Sequence, residues 1–128
     1  MTFDRESTDD FVYLTTRGRR SGRPHEIEIW YCRVGDTLYL LAGGGRGSDW
    51  VANLAAEPQC EVRLQGLTHQ ATARLLDEPD ADPDEIRRAR DAVFEKYEPR
   101  SPGLASWREA ALPVALDIHG IDRAGLEG

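Results

Sequence analysis

Strand-forming side chains and one strictly alternating segment mark the first third of the chain, as in half-buried strands. Residues 11–15 are rich in strand-forming side chains, and residues 25–33 alternate strictly. In the second segment one face carries Ile27, Ile29 and Tyr31, and the other carries Glu26, Glu28 and Trp30. A hairpin turn at residues 35–36 and a more buried strand over residues 37–42 complete this part.

A glycine-rich segment at residues 43–47 ends the third strand. Ser48 or Asp49 can cap the helix that follows, and this helix must end before Pro58. Two further strands, over residues 60–64 and 68–76, are predicted on either side of Gly66.

The last third of the chain predicts two helices and a closing strand. Asp82-Pro83-Asp84-Glu85 is a strong helix start, with an aspartate cap, proline in the first turn and glutamate at the third position. An apolar stripe along this helix consists of Ile86, Ala89, Val93 and Tyr97. A loop at residues 99–103, a short helix near residues 107–111 and a strand over residues 113–118 follow. The pattern predicts an α+β fold: a small barrel of five or six mostly antiparallel strands with two to three flanking helices.

Composition predicts one domain over residues 1–128, with residues 1–10 as a mobile arm or short helix. The chain has 128 residues, of which 40% are hydrophobic and 30% charged. It contains no apolar run long enough for an integral membrane segment, and its polar N-terminus does not resemble a signal peptide. Cys32 and Cys60 are far apart, as expected for reduced thiols in a cytoplasmic protein.

Charge excludes one class of partner and indicates another. The formal net charge is −7, which argues against nucleic-acid binding because that function usually needs a broad basic surface. Residues 15–25, Thr-Thr-Arg-Gly-Arg-Arg-Ser-Gly-Arg-Pro-His, nevertheless hold four arginines and no acid. A glycine-containing turn that gathers guanidinium groups and backbone N–H groups is suited to bind a phosphate or carboxylate.

The remaining chemistry-bearing residues match no standard catalytic constellation. His25, His69 and His119 are isolated from other metal ligands, so no metal site is expected. The glycine run at residues 43–47 leaves a strand and enters a helix, so its exposed N–H groups suit close contact with a flat, polar ligand edge. Trp50 and Asn53 lie three residues apart, on one face of that helix.

These segments together resemble a known family. The turn Gly-Arg-Arg-Ser-Gly-Arg-Pro, the glycine run, and the helix Asp-Trp-Val-Ala-Asn-Leu-Ala-Ala-Glu-Pro occur in this order and spacing in deazaflavin-dependent nitroreductases. Those enzymes are split-β-barrel oxidoreductases related to flavin-binding, pyridoxamine-phosphate-oxidase-like proteins. The resemblance extends from about Tyr13 to Val62, and the ending near Trp107 is also similar.

The resemblance implies that the cofactor is the deazaflavin coenzyme F420, which carries a phosphodiester and an oligoglutamate tail. The residues that it assigns to the cofactor fall in the basic turn, the glycine run and the first helix: Arg19, Arg20, Ser21, Arg23, His25, Gly43, Gly44, Gly45, Arg46, Trp50 and Asn53. His25 stands where relatives usually have arginine, and Arg46 replaces a charge that relatives place earlier in the glycine turn. An aromatic catalytic position beside the ring is expected at Trp30 or Tyr31. Candidate proton sources are solvent, Tyr31 and Tyr97, although the place of Tyr97 at the end of the amphipathic helix favours packing.

Three functions remain open from the sequence. The first is an oxidoreductase that passes a hydride from reduced F420 to a small hydrophobic acceptor such as a quinone, an activated alkene or a nitroaromatic compound. The second is a flavin mononucleotide (FMN) reductase on the same fold, using the basic turn for one phosphate. The third is a non-catalytic protein that binds a cofactor or a fatty acid. The acidic N-terminus and the exposed aromatic residues are compatible with a homodimer.

Overall fold

A computed structural model describes residues 11–99 and 103–119 of the chain. The prediction for residues 1–10, and most of the predicted loop at residues 99–103, lie outside the described residues. The described strands are β1 Val12–Arg17, β2 Pro24–Ile29, β3 Cys32–Val34, β4 Thr37–Ala42, β5 Gln59–Leu64, β6 Leu67–Leu75 and β7 Leu112–Ile118. The helices are α1 Asp49–Ala56, α2 Pro83–Tyr97 and α3 Ala105–Ala110, with a 3-10 turn at Gly45–Gly47.

The seven strands form one antiparallel sheet in the order β2-β1-β5-β6-β7-β4-β3. The sheet is a curled half-barrel, which confirms the predicted split-barrel architecture. Its two edge strands, β2 and β3, are consecutive in the chain and only two residues separate them, so the sheet curls until its two edges lie close together. None of the helices in the described ranges is long and apolar enough to cross a membrane.

The prediction of one unbroken strand over residues 25–33 is wrong. The strand ends at Ile29 and a new one begins at Cys32, with Trp30 and Tyr31 between them. The backbone N–H of Tyr31 donates to the Tyr97 hydroxyl at 3.1 Å, and its carbonyl accepts from the Lys96 ammonium at 2.8 Å. Side chains of α2 thus replace a sheet partner at this point, and the number of strands rises from about six to seven.

Two apolar cores lie on the two faces of the sheet. The first fills the concave side and includes Leu14, Leu40 and Val62, all with no exposed surface. The second joins the sheet to α2, whose Ala89, Val93 and Tyr97 are buried, as the apolar stripe predicts. Ile86 of that stripe is only partly buried.

The start of α2 follows the prediction except at its glutamate. Asp82 is the N-cap, and its carboxylate accepts from the Asp84 N–H at 3.0 Å. Glu85 does not turn back to complete a capping box. Its carboxylate instead accepts from the Tyr39 hydroxyl at 2.7 Å and from the Arg74 guanidinium at 2.7 and 2.8 Å. Glu85 therefore ties α2 to two strands.

We expect a Glu85→Gln variant to lose part of the pH dependence of stability. Hydrogen bonds from Arg74, assisted by one from Tyr39, lower the pKa of Glu85 from its ordinary 4.5 to about 2 against the opposing effect of burial. A depressed folded-state pKa stabilises the fold above the unfolded pKa, and this stabilisation is lost as the pH falls from about 4.5 toward 2. Because solvent screens the exposed Arg74, we expect Glu85 to contribute about 1–2 kcal/mol to the free energy of unfolding above pH 4.5.

Urea unfolding at several pH values measures this effect. Glu95→Gln is the matched control because Glu95 is an exposed residue of the same helix. Equal pH slopes for Glu85→Gln and Glu95→Gln between pH 4.5 and 2 would show that the Arg74 contact contributes nothing.

Candidate functional site

The basic turn between β1 and β2 is held in shape by its own hydrogen bonds. The Gly18 N–H donates to the Arg23 carbonyl, and the Gly22 N–H donates to the Gly18 carbonyl, both at 2.8 Å. The Arg23 N–H donates to the Ser21 hydroxyl at 3.1 Å, and Gly22 has a φ of +75°, which favours glycine. The turn is therefore organised before any ligand arrives.

Asn53 of α1 fixes the turn against the rest of the fold. Its side-chain oxygen accepts from the Arg19 backbone N–H at 3.1 Å and from the Arg19 guanidinium at 2.8 Å. Its side-chain nitrogen donates to the Thr16 hydroxyl at 3.1 Å. Because Asn53 is only 4% exposed, these bonds are shielded from water and set the position of the turn relative to α1.

A cleft of about 390 Å³ opens between the basic turn, the start of β2 and the first turns of α1. Six predicted site residues line it: Arg19, Arg20, Ser21, His25, Trp50 and Asn53. Thr16, Gly18, Glu26, Ile27 and Asp49 also line it. The structure thus brings together residues that are up to 37 positions apart in the chain.

Of the arginine side chains that line this cleft, that of Arg20 is available to bind an anionic ligand. Arg19 is offset by the Asp49 carboxylate at 3.3 Å, and the Glu26 carboxylate is offset by Arg63 at 3.2 Å. Within the described ranges, the Arg20 side chain makes no hydrogen bond or ion pair and is exposed. A cation without an internal partner, beside a hydroxyl and an imidazole, suits an anionic ligand.

The other predicted cofactor residues do not line this cleft. Arg23 contributes its backbone to the turn, and its side chain is exposed. Gly43 lies against Trp107, because a Cβ on this glycine would be 3.4 Å from the indole nitrogen. Gly44 is close to Ser48, whose hydroxyl would be 2.5 Å from an added Cβ. Gly45 starts the 3-10 turn with a φ of +59°.

Arg46 is engaged elsewhere. Its guanidinium donates to the Asp77 carboxylate at 2.6 and 2.7 Å and to the Glu78 carboxylate at 2.7 Å. This contact joins the glycine run to the segment after β6. The cationic charge of Arg46 is therefore already compensated within the protein.

The two predicted catalytic aromatics lie in the cores. Trp30 stacks on Tyr97 with ring centroids 4.3 Å apart and meets Trp107 edge-on at 5.7 Å. Tyr31 has no exposed surface, and the Lys96 ammonium lies 3.6 Å from its ring centroid. Trp30 packs in the core beside α2, whereas Glu28, predicted on the same strand face, is exposed and accepts from the Tyr13 hydroxyl at 2.7 Å.

Sequence reasoning missed five residues of this site: Thr16, Gly18, Glu26, Ile27 and Asp49. Thr16 follows Val12 and Leu14 at every second position of β1, so its side chain lies on the same buried face. A hydroxyl at such a position indicates a buried polar contact. Gly18 has no room for a side chain, because a Cβ would lie 2.7 Å from the His25 imidazole and 2.8 Å from the Ser21 hydroxyl. Asp49 carried no such signal beyond its place at the helix start.

A family model described as F420H2-dependent quinone reductase matches residues 4–118 of the chain. This range includes the basic turn, the glycine run, α1 and the whole of the described sheet.

Solved structures share the fold at low sequence identity. The structure of an F420H2-dependent reductase has a TM-score of 0.65 and 20% identity, over 86% of this chain and 94% of that one. A domain-swapped dimer has a TM-score of 0.66 and 22% identity, over 92% of this chain and 87% of that one. An FAD-binding protein from Mesorhizobium loti has a TM-score of 0.60 and 14% identity, over 87% and 80%. These likenesses establish the split-barrel fold.

Proposed function

This chain belongs to the F420H2-dependent quinone reductase family, and from that premise we propose that its cleft holds the anionic part of F420 while the protein reduces a quinone-type acceptor. The observation that carries the proposal is the unpaired Arg20 guanidinium in a preorganised turn beside Ser21 and His25. Membership of the family makes the chain an F420-dependent oxidoreductase. The acceptor and the roles of individual residues are our proposal.

The residues present fit this cofactor. The phosphodiester and glutamate carboxylates of F420 are anions, and Arg20 offers several N–H donors that have no partner among the described residues. The Ser21 hydroxyl accepts from the Arg23 N–H, which leaves its hydrogen to donate toward the cleft. The cleft volume of about 390 Å³ lies in the range of small-ligand sites. The cofactor, once bound, supplies the hydride.

The protein's own contribution is binding and orientation. Arg20 and Ser21 hold the anionic end, Asn53 keeps their turn in place, and Trp50 and Ile27 give the cleft an apolar wall. The backbone of Gly43 to Gly45 is the proposed contact for the polar edge of the ring, because these residues carry no side chains of their own. Trp107 lies beside Gly43 and Ser48 lies beside Gly44. Because Tyr31 is fully buried, we assign the proton to solvent and give Trp30 and Tyr31 supporting roles in the cores.

An acceptor assay tests the proposed activity. The purified protein is mixed with F420H2 and either a water-soluble quinone, an activated alkene or a nitroaromatic compound, and formation of oxidised F420 is followed by absorbance. We expect faster oxidation with the quinone than with the other two acceptors. Tight F420 binding without acceptor-dependent oxidation would instead favour a non-catalytic binding protein.

Homodimer formation is a further part of the proposal. The likeness to a domain-swapped dimer supports it, although that structure shares only 22% identity. Sedimentation velocity at several protein concentrations distinguishes a dimer from a monomer.

We expect a Gly18→Ala variant to weaken F420 binding more than it weakens the fold. The added Cβ would lie within 3 Å of Ser21 and His25, so both side chains must move from their places at the cleft. Because these are side-chain ends on an exposed turn, they can shift at a stability cost of about 1 kcal/mol. Loss of two polar contacts corresponds to roughly tenfold weaker binding.

Calorimetric titration with F420 and thermal unfolding measure the two effects of Gly18→Ala. Gly47→Ala is the matched control, because an added Cβ there meets no atom within 4 Å. Unchanged F420 affinity in Gly18→Ala would remove Ser21 and His25 from the proposed site.

A further inference from the structure

Helix α1 contributes to two separate cavities. Asp49, Trp50 and Asn53 line the cofactor cleft, whereas Leu54 and Ala55 line a second cavity of about 540 Å³. No residue is shared between the two linings. None of the residues proposed to contact F420 lines the second cavity, so it lies outside the proposed cofactor site. Arg46, which the resemblance assigned to the cofactor, does line it.

Apolar side chains make up much of the wall of the second cavity. Leu54 and Leu76 are at most 4% exposed, and Ala73 is 9% exposed. Pro58 and the partly buried Leu75 complete this apolar surface. The buried members form the floor of the cavity, and Ala55, Pro58 and Leu75 keep exposed apolar surface that the hydrocarbon part of a ligand can cover.

The charged groups that line this cavity have a net negative charge. The lining carries two arginines, Arg46 and Arg74, and four carboxylates, Glu78, Asp80, Asp82 and Glu85. Both arginines also bind carboxylates outside the lining, namely Asp77 and Asp117. The further cation near Glu85 is Arg88 of α2, which leaves the group negative.

Pairing leaves the arginines no free charge to attract an anion. Arg74 makes two hydrogen bonds to Glu85 and two to Asp117, at 2.6 to 3.0 Å. Among the described residues, Asp80 makes no hydrogen bond or ion pair and is exposed at the cavity. A carboxylate without a partner at the mouth of an apolar cavity favours a cation with an apolar body.

We propose that the second cavity binds a small amphiphilic cation, with an ammonium or guanidinium group at Asp80 and its neighbouring carboxylates. The apolar body of the ligand packs on Ala55, Pro58 and Leu75. Charge complementarity selects the cation, and the apolar wall selects against a fully hydrated one such as a free metal ion.

Nuclear magnetic resonance titrations of the isotopically labelled protein test this proposal. Octylammonium and octanoate are the two probes, because they share a chain length and differ in the sign of their charge. We expect octylammonium to shift the backbone amides of the cavity residues at concentrations about tenfold lower than octanoate needs. Equal responses to the two probes, or shifts confined to the cofactor cleft, would overturn the proposal.

Two variants locate the binding. Asp80→Asn removes the unpaired carboxylate, and we expect octylammonium to bind it about three- to fivefold more weakly. Glu95→Gln, an exposed acid that does not line the cavity, is the charge-matched control and should bind as the natural chain does. Identical affinities for Asp80→Asn and Glu95→Gln would contradict the assigned cation position.

Ala55→Phe fills the second cavity from an exposed helix position. We expect this variant to lose the octylammonium shifts while it retains F420 affinity, because Ala55 does not line the cofactor cleft. Retained F420 binding shows that the variant is folded, so undiminished octylammonium binding to it would place the cation elsewhere.

Discussion

An Arg20→Ala variant should bind F420 about 10- to 100-fold more weakly than the natural chain and unfold at the same temperature. Charge-assisted hydrogen bonds each contribute roughly 1.5–3 kcal/mol, which corresponds to this range of affinity. The fold should not suffer, because Arg20 is exposed and makes no hydrogen bond or ion pair in the part of the chain that the structure describes.

Arg87→Ala is the matched control for the Arg20 experiment. Arg87 is an exposed arginine of α2 that pairs with Asp84 and does not line the cofactor cleft. Arg87→Ala removes the same formal charge as Arg20→Ala, so any effect of net charge on F420 binding appears in both variants. Binding measured at low and high salt adds a second check, since loss of an ionic contact should reduce the salt dependence of the affinity.

An Asn53→Ala variant should lose both stability and F420 affinity. Truncation removes the acceptor of the Arg19 backbone N–H and the donor to the Thr16 hydroxyl. Both groups lose these partners at a buried position, because Asn53 is 4% exposed. Unsatisfied buried groups cost roughly 1–3 kcal/mol each, so we expect a total near 2–4 kcal/mol. The basic turn then loses its attachment to α1, and F420 should bind at least about tenfold more weakly.

Asn53→Asp separates the two effects of the Asn53 variant. Its carboxylate keeps an acceptor for both Arg19 donors, and the Thr16 hydroxyl can turn to donate to it, so much of the stability should return. The added negative charge beside the cleft should still weaken F420 binding. If Asn53→Ala binds F420 as the natural chain does at a temperature where it is folded, Asn53 has no role in positioning the turn.

The regular elements of this fold could be predicted from the sequence because their signals are local. Strand-forming composition located β1, alternation located β2, and the apolar run after the Gly35-Asp36 turn located β4. The Asp82-Pro83 start and the apolar stripe located α2. The break at Trp30 and Tyr31 could not be predicted in this way. It depends on Tyr97 and Lys96, which lie more than 60 residues further along the chain.

The candidate site was only partly predictable for a similar reason. The basic turn and the Trp50–Asn53 pair were visible as local motifs, and the structure brings most of them to one cleft. Which charges remain unpaired depends on distant partners. Arg46 looked like Arg20 in the sequence, but Asp77 and Glu78 neutralise it, and Arg19 is offset by Asp49.

Fluorescence titration of the pure protein with F420, with FMN titrated beside it, tests the central claim most directly. The claim is that the Arg20 turn and its cleft bind the anionic end of F420, and Trp50 at the cleft provides the signal. The account predicts low-micromolar F420 binding that weakens at high salt and in Arg20→Ala, together with weaker FMN binding. Preference for FMN, or F420 binding that does not change in Arg20→Ala, would contradict it.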